Sequence, residues 1–92
     1  MNPSKKSFPN RLSNTSKLVR VANAEISSLK SEGYEIAPPL WELCDTVWRT
    51  TLYHANGNVI SVFLDYLRYE VRIWKNCRRV KVIKVNEQMR QS

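Results

Sequence analysis

Hydrophobic positions recur along this chain at two competing spacings. Over TSKLVRVANAEISSLKSEG, residues 15–33, Val19, Ala22, Ile26 and Leu29 return every three or four positions. That spacing lines one face of an α-helix. Thr15 or Ser16 can cap its start, and Gly33 suits the left-handed position just past its end. Lys17 and Arg20 lie in the first turns, against the helix dipole. Residues 34–37, YEIA, read as extended, because Pro38 pushes Ala37 out of the helical region.

The two spacings collide on either side of HANGNVIS, residues 54–61. Upstream, Leu40, Trp41, Cys44, Val47, Trp48, Thr51 and Leu52 make a wide helical stripe. Pro38 and Pro39 suit a first helical turn, and Glu42 and Asp45 follow with the dipole. Downstream, Ile60, Phe63, Leu64, Leu67, Val71 and Trp74 share a helical face, with Ser61, Asp65, Arg68, Arg72 and Lys75 on another. Yet Thr46–Thr51 and Val59–Phe63 are rich in strand formers, and Asn-Gly between such runs is a hairpin signal. A two-residue Asn56-Gly57 turn sets Tyr53 against Ile60 and Thr51 against Val62. Leu67 to Ile73 alternates cleanly, and Glu70 fits the strand pattern better than the helical one. Periodicity over two long windows is given precedence over propensity, so Gly57 ends one helix and Asn58 caps the next.

RRVKVIKV, residues 78–85, alternates as a strand, with Arg79 and Lys81 on one face. A lone strand leaves its backbone groups unpaired. Its expected partner is YEI at 34–36 or the same strand of a second subunit, which makes a homodimer the expectation. The predicted fold is mainly α with a small β component: helices at about 15–32, 39–54 and 58–75, then a strand at 79–85. The alternative is an α+β fold, an N-terminal helix followed by an antiparallel β-meander over 46–85. Residues 1–14 read as a flexible basic arm, 15–86 as one globular domain and 87–92 as a disordered tail. A chain of 92 residues has room for one small domain with a marginal core.

Charge sharpens this picture. The chain carries a net +7, unevenly placed. Residues 1–20 hold five cations and no acid; residues 21–67 hold two cations against six acids; residues 68–92 hold eight cations against two acids. The densest run is KNCRRVKVIK, residues 75–84, with five cations and no acid. Clustered cations attract polyanions through counterion release, whereas a solvated basic surface only aids solubility. The segregation favours the first reading. The candidate contacts are Arg68, Arg72, Lys75, Arg78, Arg79, Lys81 and Lys84, joined by Lys5, Lys6 and Arg11 of the arm. Tyr66, Tyr69 and Trp74 lie among these cations, where they either stack bases or fill the core.

Little points to catalysis. His54 is the single histidine and has no spaced nucleophile or carboxylate, so it reads as a corner residue. Cys44 and Cys77 make no CxxC, and no zinc-ligand spacing exists. Cys77 reads as a turn residue; its cationic neighbours are of the kind that activate a thiol. No apolar run is long enough to span a membrane, and the N-terminus lacks a signal peptide's apolar stretch. Its acid-free start has the charge of a transit peptide, but Pro and Asn interrupt the helix such a peptide needs. The expectation is a cytoplasmic, non-enzymatic regulatory protein, for instance of transcription, that binds DNA or RNA without cofactor, metal or membrane. The competing expectation is a protein-binding inhibitor, adaptor or antitoxin-like module whose basic patch meets an acidic partner.

Overall fold

The computed structural model describes residues 16–85. Helix α1, Lys17–Ser31, is followed by five strands: β1 Glu35–Cys44, β2 Val47–Tyr53, β3 Val59–Asp65, β4 Glu70–Lys75 and β5 Arg78–Lys84. The strands pair only with their sequence neighbours, all antiparallel, in the order β1-β2-β3-β4-β5. The sheet is an open meander with α1 across one face.

The helix forms where its spacing says it should. Ser16 accepts the Val19 N–H at 3.1 Å as the N-cap. Gly33, at φ +102°, ends it, with Gly33 N–H donating to Lys30 O and Tyr34 N–H to Leu29 O. This paired arrangement satisfies two of the last orphan carbonyls. Leu18, Val19, Ala22 and Ile26 are buried against Trp48, Leu52, Ile60, Val62, Leu64, Val71 and Ile73 of the sheet. Thr50 is the polar member of that inner face, fully buried, and its hydroxyl donates to the Leu40 carbonyl.

The predicted helices at 39–54 and 58–75 do not exist; those residues are β1 to β4. The three-helix fold is therefore replaced by one helix and a five-stranded sheet, the meander alternative extended upstream to Glu35. Spacings of four and eight belong to a strand face as well as to a helix. Trp48 and Leu52, or Ile60 and Leu64, satisfy both periods. The odd intervals decide, and there the residues part company. Val47 and Thr51 lie on the face opposite Trp48 and Leu52, and Phe63 and Trp74 lie opposite Leu64 and Ile73. The helical stripe was the sum of two sheet faces, both apolar.

HANGN is neither a helix corner nor a two-residue turn. Tyr53 pairs with Val59 and Thr51 with Ser61, one position away from the register an Asn56-Gly57 turn requires. Residues 54–58 form a five-residue loop, closed by His54 N–H to Asn58 O at 3.0 Å and Gly57 N–H to His54 O at 2.9 Å. The Asn56 side chain accepts the Asn58 N–H at 2.9 Å. Pro38 and Pro39 do not start a helix but sit within edge strand β1, where the pairing to β2 is irregular between Ala37 and Glu42. Proline is tolerated there because an edge strand has an unpaired side.

The C-terminal strand occurs where expected, but its partner is β4. β5 is therefore not a lone strand, and its pairing needs no second subunit. The basic arm, with Lys5, Lys6 and Arg11, and the polar tail lie outside the described residues. Among the described residues no helix is long and apolar enough to cross a membrane.

Candidate nucleic-acid interface

The helix covers one face of the sheet, and no described element covers the other. Strand register lays residues across that open face in rows. One row runs Glu42, Arg49, Phe63, Arg72, Val82; the next runs Ala37, Thr51, Ser61, Trp74, Arg79. Where these rows meet lies a groove of about 580 Å³, lined by Val47, Val59, Phe63 and Trp74, with Arg72 and Arg79 among its walls. Phe63 and Trp74 meet edge to face, ring centroids 6.4 Å apart at 75°.

The groove ends at the β4–β5 hairpin. Its turn is Asn76-Cys77, with φ +50° and +70°. Two left-handed residues in a two-residue loop match the twist of the flanking strands. Asn76 holds the turn in place: its side chain accepts the Val59 N–H at 2.9 Å and donates to Asn58 Oδ1 at 3.1 Å. The two hairpin ends, β2–β3 and β4–β5, are thereby tied together. Lys75, Arg78 and Arg79 flank this turn, all exposed.

The pairing of β5 is irregular at Val80. Trp74 pairs with Arg79, but Ile73 pairs with Lys81. The extra residue reverses the alternation. Arg79 therefore lies with Trp74 on the open face, whereas Lys81 lies on the helix side and bonds Glu25 of α1 at 3.2 and 3.3 Å. The expectation that Arg79 and Lys81 share one face is corrected by this single bulge.

Three other predicted cations are engaged in one ion network on the open face. Arg72 bridges Asp65 at 3.2 Å and Glu70 at 2.6 Å; Lys84 binds Glu70 at 2.8 Å; Arg68 binds Asp65 at 3.2 Å. Asp65 is 1% exposed and Glu70 5%. Burial pushes the Asp65 carboxyl up, but the Arg68 N–H and guanidinium, the Arg72 charge and the Leu67 N–H together hold it below its ordinary value. Glu70 is lowered by the Lys84 hydrogen bond first, against burial, with Arg72 adding to it. Both carboxylates are thus ionised and neutralised by three cations, and Arg68 and Lys84 keep much of their surface exposed. Arg72, only 19% exposed, is the pin of the network.

Of the seven described candidates, Lys75, Arg78 and Arg79 come together at one turn without a carboxylate within salt-bridge distance among the described residues. Arg68, Arg72 and Lys84 gather along the open face, and Lys81 is drawn to the helix. Sequence reasoning missed Arg49 and Phe63. Arg49 pairs with Glu42 beside Phe63 on the open face, and the acid-rich middle of the chain concealed it. The helical spacing puts Phe63 on the core stripe. Trp74 was a stacking candidate and lies on the open face, while Tyr66 and Tyr69 pack against the core.

His54 is a structural latch. Its Nδ1 accepts the Asn56 N–H at 3.1 Å, which leaves Nε2 to donate to Glu32 O at 3.2 Å. Its ring meets Tyr34 edge-on. Cys44 and Cys77 are free thiols, and the described residues contain no cluster able to hold a metal ion. No protein-family model, curated protein or solved structure matches the chain.

Proposed function

We propose that this protein is a small, non-catalytic nucleic-acid binder whose contact surface is the β4–β5 hairpin and the adjoining open face of the sheet. Lys75, Arg78 and Arg79 flank one two-residue turn, Arg79 on the open face and Lys75 and Arg78 on the other, without carboxylate partners among the described residues, and this cluster at the hairpin tip carries the reading. A cation already satisfied by a carboxylate must exchange that partner to meet a phosphate; these three need not. Arg68 and Lys84 extend the same electrostatic surface. Such contacts supply affinity and orientation rather than base identity. A regulatory role follows from binding without chemistry, and two free thiols suit a reduced compartment such as the cytoplasm.

The test is a salt titration. Replacing Lys75, Arg78 and Arg79 by Ala should weaken binding to a labelled RNA or DNA and reduce the slope of log K against log salt by up to about one unit per lost phosphate contact. Lys81→Ala, at a cation already held by Glu25, should change little. An unchanged slope in the triple variant refutes the assignment.

A second reading has its own observation. Edge strand β5 exposes Val80 at 55% and Val82 at 39%, and an extended acidic segment of a protein partner could add to that edge. Binding of that kind would depend on Val80 and Val82 and not on Trp74.

A further inference from the structure

We infer that the groove on the open face is a stacking site for unpaired bases, so that the polymer bound is single-stranded. This rests on the nucleic-acid reading and narrows it.

The core does not account for the groove. Burial on the helix side is complete with α1 in place, since Leu52, Val62, Leu64 and Val71 are fully buried there. Phe63 and Trp74 are left half-buried on the opposite face, facing an opening of about 580 Å³. That volume is in the range of small-molecule sites. Its floor is mainly apolar, with Val47 and Val59 beside the two rings and Ser61 as a polar member.

Charge selects the occupant. Arg79 pairs across the strands with Trp74, and Arg72 with Phe63. Each ring therefore has a guanidinium on a neighbouring strand of the same face. Lys75 and Arg78 flank the same turn from the other side of the sheet, where Lys75 pairs with Ile60. An apolar floor walled by Arg79, which has no carboxylate partner among the described residues, fits a ligand with flat apolar plates on an anionic backbone. A duplex hides its plates in its own stack and would set phosphates against the apolar floor. An unpaired strand offers base faces to Trp74 and Phe63 and phosphates to Arg79 and the hairpin. This is the sequence-tolerant mode of single-strand binding, in which every base has a face to stack. The asparagine at the turn is committed to the neighbouring loop, which leaves no amide aimed at base edges there. Weak base preference follows.

The experiment uses fluorescence anisotropy of three end-labelled probes at one low salt concentration: a dodecamer of thymidylate, an abasic dodecamer of equal charge, and a duplex dodecamer. Wild-type protein should bind the thymidylate at least about 10-fold more tightly than the abasic strand, and more tightly than the duplex. Trp74→Leu keeps apolar bulk and removes the ring. It should weaken thymidylate binding by about 5- to 150-fold, the size of a lost base–aromatic stack, and leave abasic binding unchanged. Trp74→Phe, which keeps a ring, should recover part of the loss; circular dichroism checks that both variants fold. Equal binding of thymidylate and abasic strands, or a duplex preference, overturns the stacking site but leaves the hairpin reading standing. Failure to bind any of the three overturns both.

Discussion

Gly33 shows how one residue can hold two elements together. Its φ of +102° is a conformation L side chains rarely adopt, and an added Cβ would lie 2.7 Å from His54 Nε2. That histidine cannot move freely, since both ring nitrogens are engaged. Gly33→Ala should therefore cost more than about 1 kcal/mol, seen as a fall in Tm of about 4–8 °C or more. Gly57 is the control. It has a similar φ of +99° but open space around it, so Gly57→Ala should report backbone strain alone and cost less. Equal losses would show that the His54 contact contributes nothing. Gly33 was legible in the sequence because a C-cap is a local matter. His54's role was not, because its partners on the Glu32 carbonyl and the Tyr34 ring come from a distant part of the chain.

Asp65 and Glu70 carry the pH dependence. Their folded values lie below the ordinary 3.8 and 4.5. A carboxylate depressed on folding adds stability that is fully present above its unfolded pKa and is lost as pH falls through the folded value. Unfolding followed by tryptophan fluorescence should show stability level near neutrality and declining once pH drops below about 4.5. Asp65→Asn can still accept the Leu67 and Arg68 N–H groups but has no charge to lose. It should lower stability at pH 7 and flatten the decline in acid. A parallel decline in wild type and variant would place the acid sensitivity elsewhere. The sequence carried a trace of this network: Glu70 was the one residue that sat badly on a helical stripe. Arg72 lies two positions along the same strand, but Lys84 and Asp65 joined the network only once β4 lay between β3 and β5.

At the scale of elements, the helix was readable and the strands were not. Helix α1 has one buried face and a polar remainder, so its period is unambiguous, and Ser16 and Gly33 mark its ends. The strands β2 to β4 have an apolar inner face and an open face that is also apolar at Val47, Phe63 and Trp74. Alternation is blurred wherever both faces are apolar. The feature that misled the periodicity is thus the one that makes the groove. The β5 bulge adds a second lesson. Simple alternation from Arg79 to Lys81 puts both on one side; the extra residue at Val80 separates them, and a bulge leaves little mark on a seven-residue strand.

At the scale of the molecule, the two sheet edges are treated differently. β1 carries Pro38, Pro39 and an irregular register, which discourage strand addition. β5 has no proline and is guarded by charge instead. Self-pairing of RRVKVIK in antiparallel register would bring cations opposite cations, which is unfavourable. Light scattering at low salt should therefore give one chain per particle, with any association through β5 growing as salt screens the repulsion. Two chains per particle at low salt would require a different contact surface.

The sequence by itself determined the N-terminal helix with its caps, the C-terminal strand, and the segregation of positive charge toward 68–92. Each is local, set by neighbours within a few positions. Only the tertiary structure decided that 35–75 is sheet, that HANGN is a five-residue loop, that Arg79 and Lys81 face apart, and that Phe63 and Trp74 share an open groove. Those outcomes depend on which strand lies beside which, and a spacing of four residues is as good for a strand as for a helix. Cross-strand pairing breaks the tie, because a sheet satisfies its backbone hydrogen bonds through residues far away in the chain, where no local pattern reaches.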